Sequence, residues 1–274
     1  MCQLLGMNCN VPTDICFSFA GFRARGGLTD HHSDGWGIAF FEGRGARVFL
    51  EPCASADSPV AELVRRYPIR SLNVIAHIRK ATQGQIHLEN THPFQRELWG
   101  RYWIFAHNGN LCGYQPTLSG RFLPVGSTDS EHAFCHILDA LTQRFPDAAP
   151  APGELHAVLR EMAIEIGRHG EFNFLLSDGD YLFAHSSSRL VYVIRQSPFP
   201  VAHLSDEDVS VDFNEVTTPD DRVAVIATTP LTDNEIWRPI SPGTLQAFHL
   251  GAPVQLGETS TVAAEIGTGL PPCA

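Results

Sequence analysis

The chain opens MCQLLGM (residues 1–7), a cysteine at position two followed at once by an apolar run, 3–7, that reads as a strand. Removal of Met1 ahead of a small residue leaves Cys2 as the chain terminus, with a free α-amine beside its thiol. An α-amine titrates near ~7.7–8.0 and a thiol near ~8.5, so at neutral pH the amine can take the thiol proton and later return it to a leaving group. An ordinary cysteine at the head of a strand looks the same, so the rest of the chain has to decide between the two.

Outward from this start, short apolar runs bounded by turns recur at 37–41, 47–50, 72–77, 103–107, 172–176, 181–185, 190–194, 223–228 and 245–250, which gives about ten strands in two groups. Helical periodicity is clearest over 131–145, where Ala133, Phe134, Ile137, Leu138 and Leu141 share a face. Thr128-Asp129-Ser130-Glu131 ahead of it has the form of a capping box. A second helix is expected over 154–169 and a shorter one over 59–67. Strands in two groups with helices between them predict layers, either two sheets face to face with outer helices or one sheet with helices on one side. No repeat or Pro/Ser-rich linker divides the chain, so one domain over 1–250 is expected, followed by a loosely held tail over 251–274.

Composition narrows the function classes. The 274 residues carry a formal charge of −11 and 43% hydrophobic residues, a globular pattern without the basic stripe that a nucleic acid requires. No window approaches the ~18 apolar residues of a membrane span and no basic leader precedes one, so a cytoplasmic protein is expected. Seven cysteines (2, 9, 16, 53, 112, 135 and 273) form no CxxC pair and read as reduced thiols. Thirteen histidines include no HExxH spacing, and neither GxxxxGK[ST] nor GxGxxG occurs, so neither metal nor cofactor is expected. His77 and His107 read as strand-end residues with local hydrogen bonds, and His31 and His32 as loop residues. Trp36, Trp99 and Trp103 read as core or pocket wall, Asp34 as a turn residue before Gly35, and Asp206, Glu207 and Asp208 as a solvated acidic run.

Three further stretches carry possible chemistry. HNGN (107–110) directly follows an apolar strand, and Asn-Gly there is first of all a hairpin turn. Its functional reading is an oxyanion hole, with the Asn108 amide and the Gly109 N–H aimed at a developing negative oxygen. AHIRKATQG (76–84) puts Arg79 at the end of a buried strand, suited to a carboxylate or, more blandly, to a surface salt bridge. GSTDSE (126–131) offers Asp129 to an ammonium group, or simply to a helix N-terminus. Together they describe a receptor for a zwitterionic amino acid whose side-chain amide faces a terminal thiol.

In order and spacing these segments resemble the class II glutamine amidotransferases, which are N-terminal-nucleophile (Ntn) hydrolases. MCQLLG resembles the family's nucleophile strand, SDGWGIAFF (33–41) its second strand, AHIRKAT its glutamine-carboxylate segment, HNGN its oxyanion segment and STDSE its ammonium-binding segment. MCQLLGMNCNVPTDICFSFAG, ENTHPFQRELWG and FNFLLSDG are similar to the bacterial stand-alone members of YafJ type. The resemblance reaches to about residue 250. It implies an α+β fold, a four-layer αββα sandwich of two mainly antiparallel sheets. It also implies hydrolysis of glutamine to glutamate and ammonia through a Cys2 thioester. Asn108 and Gly109 would be the oxyanion donors, and Arg79, Thr82 and Asp129 would hold the glutamine α-groups.

Where several relatives have His after the Thr, this chain has Gln83, and it has no room for the synthase domain of the large members. An ammonia-accepting synthase would therefore be a separate subunit. Two other readings stay open, a γ-glutamyl amide hydrolase acting on a metabolite conjugate and a non-catalytic glutamine-binding subunit.

Overall fold

The first strand, β1 (Gln3–Thr13), is apolar on both faces, which marks it as an interior strand of a sheet covered on both sides. In the computed structural model, which describes residues 2–82 and 84–256, it lies at the centre of a seven-stranded antiparallel sheet. Three elements follow it: α1 (Cys16–Ala24), β2 (Trp36–Glu42) and β3 (Gly45–Glu51). Next come α2 (Pro59–Arg66), β4 (Ser71–Ile78), β5 (Phe94–Leu98), β6 (Arg101–Leu111), α3 (Asp129–Arg144) and α4 (Pro152–Ile166). The chain then runs through β7 (Gly170–Ser177), β8 (Leu182–Ser186), β9 (Val191–Gln196), β10 (Val201–His203), β11 (Ser210–Asp212) and β12 (Arg222–Ala227). It closes with β13 (Arg238–Pro239), β14 (Thr244–His249) and β15 (Ala252–Val254).

The first sheet has the order β13-β9-β12-β1-β4-β2-β3 and the second β15-β14-β8-β7-β6-β5, while β10 and β11 form a small separate ribbon. Three apolar clusters fix the layering. Leu5, Met7, Val74 and Val225 pack with Phe19 and Phe22 of α1 and Val64 of α2 on the outer face of the first sheet. Leu4, Ile75 and Ile226 meet Ile104, Ala106, Leu175 and Leu182 between the sheets. Phe105, Phe172 and Phe174 of the second sheet pack on Phe134 and Leu138 of α3 and Leu159 of α4. Helices outside two face-to-face antiparallel sheets make the αββα sandwich, which decides between the two layer arrangements left open by pattern. No helix among the described residues is long and apolar enough to cross a membrane.

Six elements escaped the sequence reading: α1 and the strands β5, β10, β11, β13 and β15. Helix α1 starts after Ile15, which makes no side-chain cap, and its stretch CFSFAGFRA is rich in Phe and contains Gly21, so neither propensity nor cap announces it. Strand β5 has only its end residues, Phe94 and Leu98, buried. Asp206 is also corrected: it is not solvated but accepts from Arg25 Nε at 2.8 Å and from Thr29 Oγ1 at 2.8 Å. The capping box is half formed. Thr128 Oγ1 accepts from Glu131 N at 3.2 Å, but the Glu131 carboxylate turns instead to Arg96 Nη2 (2.5 Å) and Gly126 N (2.7 Å). Beyond residue 250, β15 pairs with β14 in the stretch expected to be tail, and the tail from 257, with Cys273, lies outside the described residues.

Near one end of the sandwich its interior becomes polar. His77 of β4 and His92 are buried, with His92 Nδ1 3.1 Å from His77 Nε2, and His107 of β6 is 1% exposed. Burial pushes all three imidazoles below their ordinary value, most strongly His77 and His92, so they stand neutral in the fold. An unfolded chain protonates them near ~6.5 while the folded one resists, so stability is full above that pH and declines as pH falls below it. His185, lowered by burial, adds to this loss, whereas exposed His203, raised by hydrogen bonds to Asp233 and Asp208, opposes it.

Thermal unfolding is therefore expected at a progressively lower temperature from pH 7.5 to 5.5; a flat profile would mean that the folded protein takes up protons over this range as readily as the unfolded chain does. At the second-sheet core, Phe105 stacks on Phe134 at 5.1 Å and touches Phe172 and Phe174. Phe105→Ala should cost about 3–5 kcal/mol in denaturant unfolding.

Candidate active site

Cys2 lies one residue ahead of β1 and is 8% exposed. The pairing of β1 with β4 sets Gln3 opposite Ile78, so the residue before β1 meets the residues after β4. Lys80 N donates to Cys2 Sγ at 3.2 Å, and the thiol in turn points at Lys80 O at 3.4 Å. Burial pushes the thiol above its ordinary value, against the Lys80 N–H and the Arg79 charge, which both favour the thiolate.

Arg79 follows the last residue of β4. Its main chain is strapped to the loop before β2: Arg79 N donates to Gly35 O at 2.7 Å, Asp34 N donates to Arg79 O at 3.2 Å, and Ala81 N donates to Asp34 Oδ2 at 2.8 Å. Asp34 is thus a turn residue whose carboxylate anchors the Arg79 segment. Arg79 is 4% exposed, which sets aside a surface position, and its guanidinium donates to Gln85 O at 3.0 Å and Gly84 O at 3.3 Å. Burial lowers its pKa, partly offset by Cys2 and Asp34. Thr82 is exposed, and Gln83 lies outside the described residues.

The hairpin turn at Asn108-Gly109 is overturned. Both residues lie inside β6, Asn108 opposite Asn173 and Gly109 opposite Phe172 of β7. Glycine is required by proximity, because a Cβ at 109 would stand 1.8 Å from Glu171 O. His107 Nε2 faces Glu171 O at 3.0 Å, which can only accept, so this neutral imidazole carries its proton on Nε2 and leaves Nδ1 to accept from Ser130 Oγ at 2.8 Å. Asn108 is 1% exposed; its Nδ2 stands 3.4 Å from Thr228 Oγ1 and its Oδ1 has no partner among the described residues.

Asp129 opens α3. Its Oδ2 accepts from Leu111 N at 2.7 Å and its Oδ1 from Ser130 N at 2.9 Å, so the carboxylate ties the helix start to the end of β6. The helix-terminus reading and a place in the cleft hold together. Cys2, Arg79, Thr82, Gly109 and Asp129 line one cleft, with Lys80, His92, His107, Thr128 and Ser130. Its free volume is ≈ 20 Å³, and at Asp129 it adjoins a chamber of ≈ 300 Å³ walled by Tyr114, Gln115 and His132. Asn108 is not among the lining residues of that cleft. His92 and Ser130 had been present in ENTHPF and STDSE, but only packing shows that they reach the cleft. No group of three or more His, Cys, Asp or Glu among the described residues is placed to hold a metal ion.

Comparison with known proteins gives this geometry a family. The model for the class II glutamine amidotransferases matches residues 1–269. The chain is 55% identical over 254 residues to the protein named Putative glutamine amidotransferase YafJ of Escherichia coli (strain K12), covering 92% of this chain and 98% of that one. It is 52% identical over 252 residues to the protein named Putative glutamine amidotransferase of Haemophilus influenzae, covering 92% of this chain and 85% of that one. Among solved structures, a predicted glutamine amidotransferase from Pseudomonas aeruginosa PA01 superimposes with a TM-score of 0.74 at 48% identity, covering 92% of this chain and 99% of that one. With the family model spanning 1–269 and such relatives matched along most of their length, the protein belongs to the class II glutamine amidotransferases.

Proposed function

We propose that the protein is a stand-alone glutamine amidotransferase-like amidohydrolase that hydrolyses the side-chain amide of glutamine to glutamate and ammonia through a Cys2 thioester. The observation that supports this reading is the convergence on one cleft of a thiol, a buried guanidinium, a carboxylate and a backbone N–H carried by a glycine. Arg79 matches the α-carboxylate and Asp129 the α-ammonium, with Thr82 beside them. Space of ≈ 20 Å³ is about one water's worth, so glutamine enters only as the wall moves and the guanidinium exchanges Gly84 O and Gln85 O for the substrate carboxylate. The six described cysteines are all free, which supports a reducing compartment such as the cytoplasm.

The chemistry follows in two balanced steps, on the chain from which Met1 has been removed. Cys2 Sγ bonds to the amide carbon while its proton passes to the Cys2 α-amine, and negative charge grows on the former carbonyl oxygen. Asn108 and Gly109 donate to that oxygen. As the C–N bond breaks, the α-ammonium returns the proton to the nitrogen and ammonia leaves. Water then attacks the thioester, giving one proton to the α-amine and thence to Sγ, and glutamate departs. The buried thiol is raised in pKa, so it is protonated at rest and needs this neighbouring base at the moment of attack.

Cys2→Ala should abolish glutaminase turnover, and intact mass should show one adduct of an electrophilic glutamine analogue on wild type, blocked by excess glutamine and missing in the variant. Turnover by the alanine variant at the wild-type rate would sink the mechanism. Asp129→Asn keeps an oxygen for the backbone donors but loses the charge. It should raise KM for glutamine about tenfold or more, as expected for a charged hydrogen bond of ~1.5–3 kcal/mol, with a smaller change in kcat. A loss confined to kcat would mean that Asp129 does not hold the ammonium.

A further inference from the structure

Thr228, the residue after β12, is 3% exposed and wraps the main chain next to the nucleophile. Leu4 N donates to Thr228 Oγ1 at 2.9 Å, and Thr228 N donates to Leu4 O at 3.1 Å. The following residues are anchored in turn, since Arg25 Nη1 donates to Thr229 Oγ1 at 2.6 Å and to Thr229 O at 3.1 Å. A hydroxyl that already accepts from Leu4 N still has its own proton to give.

Asn108 Nδ2 faces this hydroxyl at 3.4 Å, and the buried Asn108 Oδ1 has no partner among the described residues. Such an arrangement leaves an acceptor and a hydroxyl proton unused side by side, which is unfavourable for a buried group. Turning the amide by half a revolution uses the hydroxyl proton and changes the unpartnered end of the amide from an acceptor to a donor. Oδ1 then accepts the Thr228 proton, and the NH2 group takes the place of the orphaned oxygen.

The turned amide is also the one that chemistry at Cys2 needs. Leu4 points between the sheets, and Cys2, two residues earlier, shares that face by the period of a strand. Ile104 and Ala106 point into the same layer from β6, and Asn108 continues their face. An oxyanion calls for a donor there, and the orphaned position presents an acceptor. We infer that Thr228 is a positioning residue whose hydroxyl, clamped by Leu4 N, accepts nothing from Asn108 but donates to its Oδ1, so that the Asn108 NH2 is held toward the reacting carbonyl. This rests on the proposed reading of the site. The hydroxyl makes no bond to substrate and acts only through Asn108.

The test compares Thr228→Val, which keeps the shape but loses the hydroxyl, with Thr228→Ser, which keeps it, in glutamine hydrolysis. Losing an oxyanion donor outright costs about 10²–10³ in kcat, so misorienting one should lower kcat at least tenfold in the valine variant. KM should stay within threefold, and the serine variant should keep at least a third of wild-type kcat. Alkylation of Cys2 by iodoacetamide, which needs the thiol but no oxyanion donor, should change less than twofold in either variant.

On an Asn108→Ala background Thr228→Val should have no further effect. Full kcat in the valine variant, an undiminished effect on that background, or a parallel fall in Cys2 alkylation would each overturn the inference, the last by showing that Thr228 merely holds β1. If the valine variant does not fold, Thr228→Ala against Thr228→Ser reads the same difference. A wild-type chain that neither hydrolyses glutamine nor takes the electrophile at Cys2 overturns the site reading and this inference with it. An active wild type with an indifferent Thr228 overturns the inference alone.

Discussion

The antiparallel register of β1 between β4 and β12 is the constraint on which the site depends. Gln3 opposite Ile78 brings Cys2 to Lys80, and Leu5 opposite Ala227 brings Leu4 to Thr228. A strand repeats its facing every two residues, so a slip by one would turn Cys2 and Leu4 to the helix side and Leu5 and Met7 between the sheets. Leu5 and Met7 are buried against Phe19 and Val64 on one face and Leu4 against Leu175 and Leu182 on the other, and this two-sided apolar packing holds the register. The position of one thiol is thereby fixed by side chains that take no part in any chemistry.

Much of this was legible in the residues because the site is built where regular structure starts or stops. Cys2 precedes a strand, Arg79 follows one and Asp129 begins a helix. Periodicity locates such ends, and residue type suggests their chemistry. What misled was local propensity against pairing. Asn-Gly favours a tight turn in isolation, but here β7 continues alongside through Gly170, and the ladder outweighs the preference of two residues. The Thr128 and Glu131 spacing fits a reciprocal cap, yet Arg96 and Gly126 compete for the Glu131 carboxylate from outside the helix. Helix α1 and the partners of Asp206 were illegible because both depend on contacts from distant segments, α1 through the apolar cluster it covers and Asp206 through Arg25.

The resting thiol and the groups around it pull in opposite directions. Burial disfavours the thiolate, whereas the Lys80 N–H and the Arg79 charge favour it, and burial is the larger effect. Arg79 is itself opposed by burial, which lowers its pKa, with Cys2 and Asp34 partly offsetting this. A low-pKa cysteine would be reactive toward many electrophiles, while a buried, protonated one becomes nucleophilic only when a base takes its proton during attack.

On the proposed reading that base sits on the nucleophile's own residue, which removes the need for a second side chain at a fixed distance. The demand for precision then shifts to the oxyanion side. A main-chain N–H such as that of Gly109 is oriented by the β6 and β7 ladder itself, but a side-chain amide has two orientations of equal shape and opposite polarity. Only a neighbour with a defined donor or acceptor role can choose between them. The Thr228 hydroxyl accepts from Leu4 N and keeps its proton and a second lone pair; of the two amide orientations, only the one that takes this proton at Asn108 Oδ1 also leaves the NH2 group for an oxyanion. The strand that carries Cys2 therefore also holds, through Leu4 N, the hydroxyl that on this reading orients the group stabilising the charge.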